Sequence, residues 1–93
     1  MAALSPAEVE LHLKALPAWQ VESGVLVRTF QFPDFLGAMR FVNGVAEAAE
    51  AASHHPDIDI RYNRVRLGLV THDAGGLTAK DFALAAKADK LAD

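Results

Sequence analysis

Alternating apolar and polar positions mark four stretches of this chain as strands. Trp19 and Val21 alternate with Gln20 and Glu22. After Ser23-Gly24, Val25, Val27, Thr29 and Gln31 alternate with Leu26, Arg28, Phe30 and Phe32. Farther on, Ile58, Ile60 and Tyr62 alternate with Asp59 and Arg61, and a second run from Val65 to Thr71 follows Asn63-Arg64. Period two is the signature of a half-buried strand, and paired runs across short turns predict two antiparallel hairpins.

Three other segments carry helical spacing. Ser5-Pro6-Ala7-Glu8 places a Ser N-cap, a Pro at the first helical position and a Glu three residues after the cap. Val9, Leu11, Leu13 and Leu16 follow, and Pro17 ends the segment. Asp34 caps a second helix from Phe35 to about Ala52, in which Phe35, Met39, Val42, Ala46 and Ala49 share a face. Leu36, Ala38, Phe41, Val45, Ala48 and Ala52 widen that face beyond what one side of a sheet requires, which predicts a subunit interface. Close packing is the expected reason for Gly37 and Gly44 within it. Thr78-Ala79-Lys80-Asp81 repeats the capping pattern before a last helix through Phe82, Leu84, Ala85 and Ala88 to about Leu91.

The order is therefore α-β-β-α-β-β-α. Two hairpins merging into one four-stranded antiparallel sheet, with three helices on one face, give an α+β fold. Residues 1–93 form a single domain, with no internal repeat or linker. If Asn63-Arg64 is the two-residue turn of the second hairpin, Tyr62 faces Val65 and His55 lies opposite His72. Directly opposed side chains have Cβ atoms about 4.5–5.5 Å apart, near enough to share one small ligand.

Composition removes several function classes. The net charge is −3, with nine basic against twelve acidic residues and no basic run, which disfavours direct nucleic-acid binding. There is no cysteine, so neither disulfide nor thiolate chemistry is on offer. No apolar run approaches the length of a membrane span and the N-terminus lacks a signal core, so a soluble cytoplasmic protein is expected. A hydrophobic fraction of 52% is generous for 93 residues and again suggests apolar surface shared between subunits.

The candidate chemistry lies between Glu50 and Asp81, which enclose His54, His55 and His72. Imidazoles titrate nearest neutrality, so the cluster invites acid–base work. A metal site is disfavoured: adjacent histidines point to opposite faces of a strand, or diverge by about 100° on a helix. No metal is expected. Glu50 stands one turn before His54, where it either bonds the imidazole or is solvated. Asp81 reads as a helix cap. Trp19 is expected as a core or rim anchor, although an indole can also cover a flat ligand, and His12 as an ordinary surface or packing residue.

The spacing Glu50, His54-His55-Pro56, Tyr62, His72, Asp81 resembles the signature of the pterin-4a-carbinolamine dehydratases. Leu4-Ser5-Pro6-Ala7-Glu8, Ala18-Trp19, Phe30-Gln31-Phe32-Pro33-Asp34-Phe35, Tyr62-Asn63-Arg64-Val65 and Gly76-Leu77-Thr78 are similar to family segments in the same order. The resemblance implies dehydration of a 4a-hydroxytetrahydropterin, such as 4a-hydroxytetrahydrobiopterin, to the quinonoid dihydropterin. It implies no metal or redox cofactor, and a homodimer or homotetramer that recycles the product of aromatic amino acid hydroxylases. His54, His55 and His72 match the family's active-site histidines, and Asp81 a carboxylate supporting the last of them. Ser53-His54-His55 and Val70-Thr71-His72-Asp73 match the segments that line the pterin site, with Glu50 and Trp19 as supporting residues. The alternative is a non-catalytic module of the same fold, a dimerisation cofactor or a carboxylase assembly factor.

Overall fold

A computed structural model describes residues 2–93. The first segment folds as α1 (Pro6–Leu13), closed at its start by the reciprocal Ser5–Glu8 capping box. Its chain then turns into β1 (Gln20–Glu22) and β2 (Val25–Gln31). Ser23 and Gly24 both take positive φ between them, the geometry that matches the twist of a two-residue hairpin. Helix α2 (Phe35–Ala52) follows, then β3 (Asp57–Arg61), β4 (Arg64–Leu69), a 3₁₀ turn (His72–Ala74) and α3 (Ala79–Ala92). The sheet order β1-β2-β4-β3 joins the two hairpins through β2 and β4, antiparallel throughout. The predicted α+β fold is the observed one.

Register divides the sheet into two unlike faces. Leu26, Phe30, Val65, Leu67 and Leu69 point to the helices and are buried. Ala38, Phe41, Val45 and Ala49 of α2, with Phe82, Leu84, Ala85 and Ala88 of α3, complete the core. The opposite face carries Gln20, Glu22, Thr29, Gln31, Asp59, Arg61, Arg64 and Arg66, with Glu22 and Arg66 paired at 2.9 Å. Such alternation is what an antiparallel sheet covered on one side demands.

The second hairpin corrects the expected register. Arg61 pairs with Arg64 and Ile58 with Leu67, a shift of two residues from the pairing of Tyr62 with Val65. The turn is Tyr62-Asn63, with Tyr62 at φ 52°. Asn63 is held elsewhere: its Nδ2 donates to the Phe32 carbonyl at 2.7 Å, and Phe32 N–H donates to the Asn63 carbonyl at 2.9 Å. These bonds pin the turn to the end of β2. Because the shift is even, every side chain keeps its face. His55, however, lies outside the ladder and is not opposite His72.

The glycines of α2 have different reasons from helix packing alone. A Cβ on Gly37 would stand 3.2 Å from Oδ1 of Asp34, the oxygen that caps the Gly37 N–H at 2.7 Å. At Gly44 a Cβ would meet Leu91 at an ordinary contact distance, so α3 tolerates an alanine there.

Candidate active site

The end of α2 decides where the histidines go. Ser53 closes the helix in the left-handed conformation, φ 51° and ψ 41°. The His54 N–H reaches back to the Ala49 carbonyl and the Ser53 N–H to that of Glu50, the two bonds of a Schellman motif. This motif turns His54 inward, where it is 8% exposed, and leaves His55 outside.

The start of α3 supplies its partner. Thr78 is the N-cap and Asp81 the third helical residue of a capping box. Asp81 is nevertheless fully buried. Its Oδ1 lies 2.6 Å from Nε2 of His54. Oδ2 accepts from the Thr71 hydroxyl at 2.8 Å and from the Thr78 N–H at 2.9 Å. Thr71 and Thr78 share a further bond at 2.8 Å between their hydroxyls. One carboxylate therefore caps a helix and ties together the two histidine-bearing segments, since Thr71 directly precedes His72.

His55 and His72, next in sequence to the knot residues His54 and Thr71, are both exposed. Glu50 bonds His55, not His54, with Oε1 2.7 Å from Nε2. Both side chains of that pair are largely solvated, so it orients the ring more than it stabilises the fold. His72 opens the 3₁₀ turn, and Asp73 beside it is exposed. Asp81, matched by resemblance to the last histidine, has His54 as its imidazole partner instead. Ser53 is exposed and Val70 half-buried. Among the described residues no three His, Cys, Asp or Glu side chains converge as metal ligands would.

His55, Glu50, Pro56 and Ile58 border an open groove of about 460 Å³ between α2 and β3, within the size range of small-molecule sites. Another groove, of about 360 Å³, lies on the polar sheet face among Glu22, Asp57, Asp59 and Arg66 and has no histidine. Trp19 is in the core, 4% exposed. Its Nε1 donates to Asp89 Oδ1 at 2.9 Å, which also takes Arg28 at 2.6 Å. Nothing in the apolar spacing of α3 signals this use of Asp89. Tyr62 sits at the hairpin tip, the end of the sheet away from His55 and His72. His12 packs flat on Phe82, ring centres 4.7 Å apart.

The family model for pterin 4 alpha carbinolamine dehydratase matches residues 2–91. The chain belongs to this dehydratase family. A relative from Acidobacterium capsulatum is 60% identical over 91 residues, covering 98% of this chain and 99% of its own. One from Chloroflexus aurantiacus is 59% identical, covering 98% of each. Both bear the provisional name pterin-4-alpha-carbinolamine dehydratase. A Brucella melitensis crystal structure, described as a transcriptional coactivator/pterin dehydratase, superposes with a TM-score of 0.95 at 35% identity, over 98% of this chain and 99% of that one. A pterin dehydratase-like protein described as a RuBisCO assembly factor in the alpha-carboxysome gives 0.66 at 25% identity, over 80% and 86%. The carbinolamine dehydratase family model thus spans nearly the whole chain, and the structural relatives are described with more than one role.

Proposed function

We propose that this protein removes water from a 4a-hydroxytetrahydropterin, giving the quinonoid dihydropterin, by histidine acid–base catalysis. The observation that carries the reading is the buried His54–Asp81–Thr71 knot. It joins the segments bearing His55 and His72, and a capping carboxylate alone would not need a buried imidazole. In the reaction an imidazolium gives a proton to the departing hydroxyl, the C–O bond breaks and water leaves. A second imidazole takes a ring N–H proton, and the nitrogen electron pair closes the C=N bond. No electrons are gained or lost, so proton transfer is all the chemistry asks of the protein. Each positioned acid or base contributes typically 10²–10⁴-fold.

The substrate would be the carbinolamine left by an aromatic amino acid hydroxylase, and the setting a cytoplasmic recycling step. Exposed Phe35 and Leu36 on α2, with Ile58 and Ile60 on edge strand β3, support a homodimer or homotetramer. The competing reading is a binding module, favoured by the coactivator and assembly-factor descriptions of two structural relatives. A dehydration assay on the purified chain decides between them. Acceleration above the uncatalysed rate supports the enzyme, and its absence in folded protein leaves the binding module.

A further inference from the structure

We infer that Asp81, oriented by Thr71 and Thr78, is a positioning residue whose carboxylate fixes the tautomer of His54. The nitrogen through which His54 exchanges its proton is then Nδ1. This inference rests on the dehydratase reading only for the use to which Nδ1 is put.

The proton positions follow from what each group is able to donate. The Thr78 N–H can only donate, and it stands 2.9 Å from Oδ2 of Asp81. A carboxylate only accepts, so the Thr71 hydroxyl spends its single proton on the same oxygen, 2.8 Å away. Thr71 Oγ1 must then accept from the Thr78 hydroxyl at 2.8 Å. Thr78 Oγ1 in turn accepts from the Lys80 N–H at 3.3 Å. Every donor in the chain runs one way, toward Asp81. Oδ1 remains for His54, whose Nε2 at 2.6 Å must carry its hydrogen.

In a neutral imidazole the other nitrogen keeps its lone pair. Among the described residues Nδ1 of His54 has no hydrogen-bond partner, and no buried side-chain nitrogen or oxygen lacks one. Nδ1 therefore meets solvent although the residue is buried. A ring held by one nitrogen and open at the other is arranged to pass a proton outward.

Capping of α3 alone would also use Thr78 and Asp81, so the test must read the ring itself. In Asp81→Asn the amide oxygen has to occupy the Oδ2 side, because the Thr78 N–H cannot become an acceptor. The amide NH₂ then faces Nε2, which must turn acceptor, and the proton moves to Nδ1. A misplaced tautomer is a recognised way to lose turnover while geometry persists.

The experiment is ring ¹⁵N NMR of histidine-labelled full-length protein with the rings neutral, alongside turnover of a 4a-hydroxytetrahydropterin. Wild type should show His54 Nε2 as the N–H nitrogen and Nδ1 as the lone-pair nitrogen. Asp81→Asn should exchange the two and lower kcat by roughly 10²–10⁴-fold with little change in KM. Thr71→Val and Thr78→Val should keep the Nε2–H tautomer, which any carboxylate facing Nε2 imposes, but loosen the orientation of Asp81 and lower kcat, and Thr71→Ser and Thr78→Ser should restore it. A wild-type His54 protonated on Nδ1 overturns the inference, even where a variant fails to fold. So does a folded Asp81→Asn that keeps the wild-type tautomer, as do folded valine variants with wild-type turnover. The predicted tautomers without turnover in any protein would sustain the positioning and dismiss the reaction.

Discussion

At the scale of single residues the three histidines differ in burial, and the difference sets what each substitution costs the fold. His54→Ala should destabilise the fold, because it empties a buried site and leaves Asp81 Oδ1 unpaired, at about 1–3 kcal/mol for the orphaned group. His55→Ala and His72→Ala should stay within about 0.5 kcal/mol of wild type, since both side chains are exposed. Chemical denaturation of the three variants reads this directly. Asp81→Ala should cost more than a lost cap, about 0.5–2 kcal/mol, because Nε2 of His54 and the Thr71 hydroxyl lose their partner as well. The histidine-rich stretch and Asp81 were legible from spacing, but their pairing was not. Glu50 and His54 are one helical turn apart in number, yet the helix ends between them in left-handed Ser53. That shifts the partner to His55. Serine is neither of the residues that usually announce such a cap, so the sequence carried little warning.

Elements were easier to read than their alignment. All three helices and both hairpins follow from apolar period and capping residues, because those signals are local. The β3–β4 turn is set from a distance, by the bonds of Asn63 to Phe32, which force Tyr62 into a backbone region that suits glycine better. Asn63→Ala should therefore lower stability by about 0.5–1.5 kcal/mol, and hydrogen exchange should speed up at the Phe32 N–H. No destabilisation would mean the turn holds its own register. Helix α1 has a pH signature. The Ser5 N–H, then its hydroxyl, hold the Glu8 carboxyl below its usual value against slight desolvation, with His12 helping. A depressed folded pKa contributes stability above the unfolded value, and loses it as pH falls through the folded one. Amides of α1 should fray on acidification through the carboxylate range, and Glu8→Gln should flatten that dependence.

For the molecule as a whole, 93 residues leave a small core, and several large apolar side chains remain outside it. On α2 these are Leu36 at 65% exposure and Phe35 at 46%. Light scattering at micromolar concentration should give a mass of at least two 10.0 kDa chains, and Leu36→Lys should lower it. A single-chain mass would remove α2 from any interface. The fold and family were readable because the pattern spans the chain, whereas the width of the α2 apolar face points to an interface without saying what packs on it. The central claim is that the histidines around the Asp81 knot perform the elimination. The most direct measurement is dehydration of a 4a-hydroxytetrahydropterin by wild type and by folded His55→Ala and His72→Ala. Wild type should accelerate the reaction and each variant should lose roughly 10²–10⁴-fold. Folded variants with wild-type turnover, or a wild type with none, would contradict it.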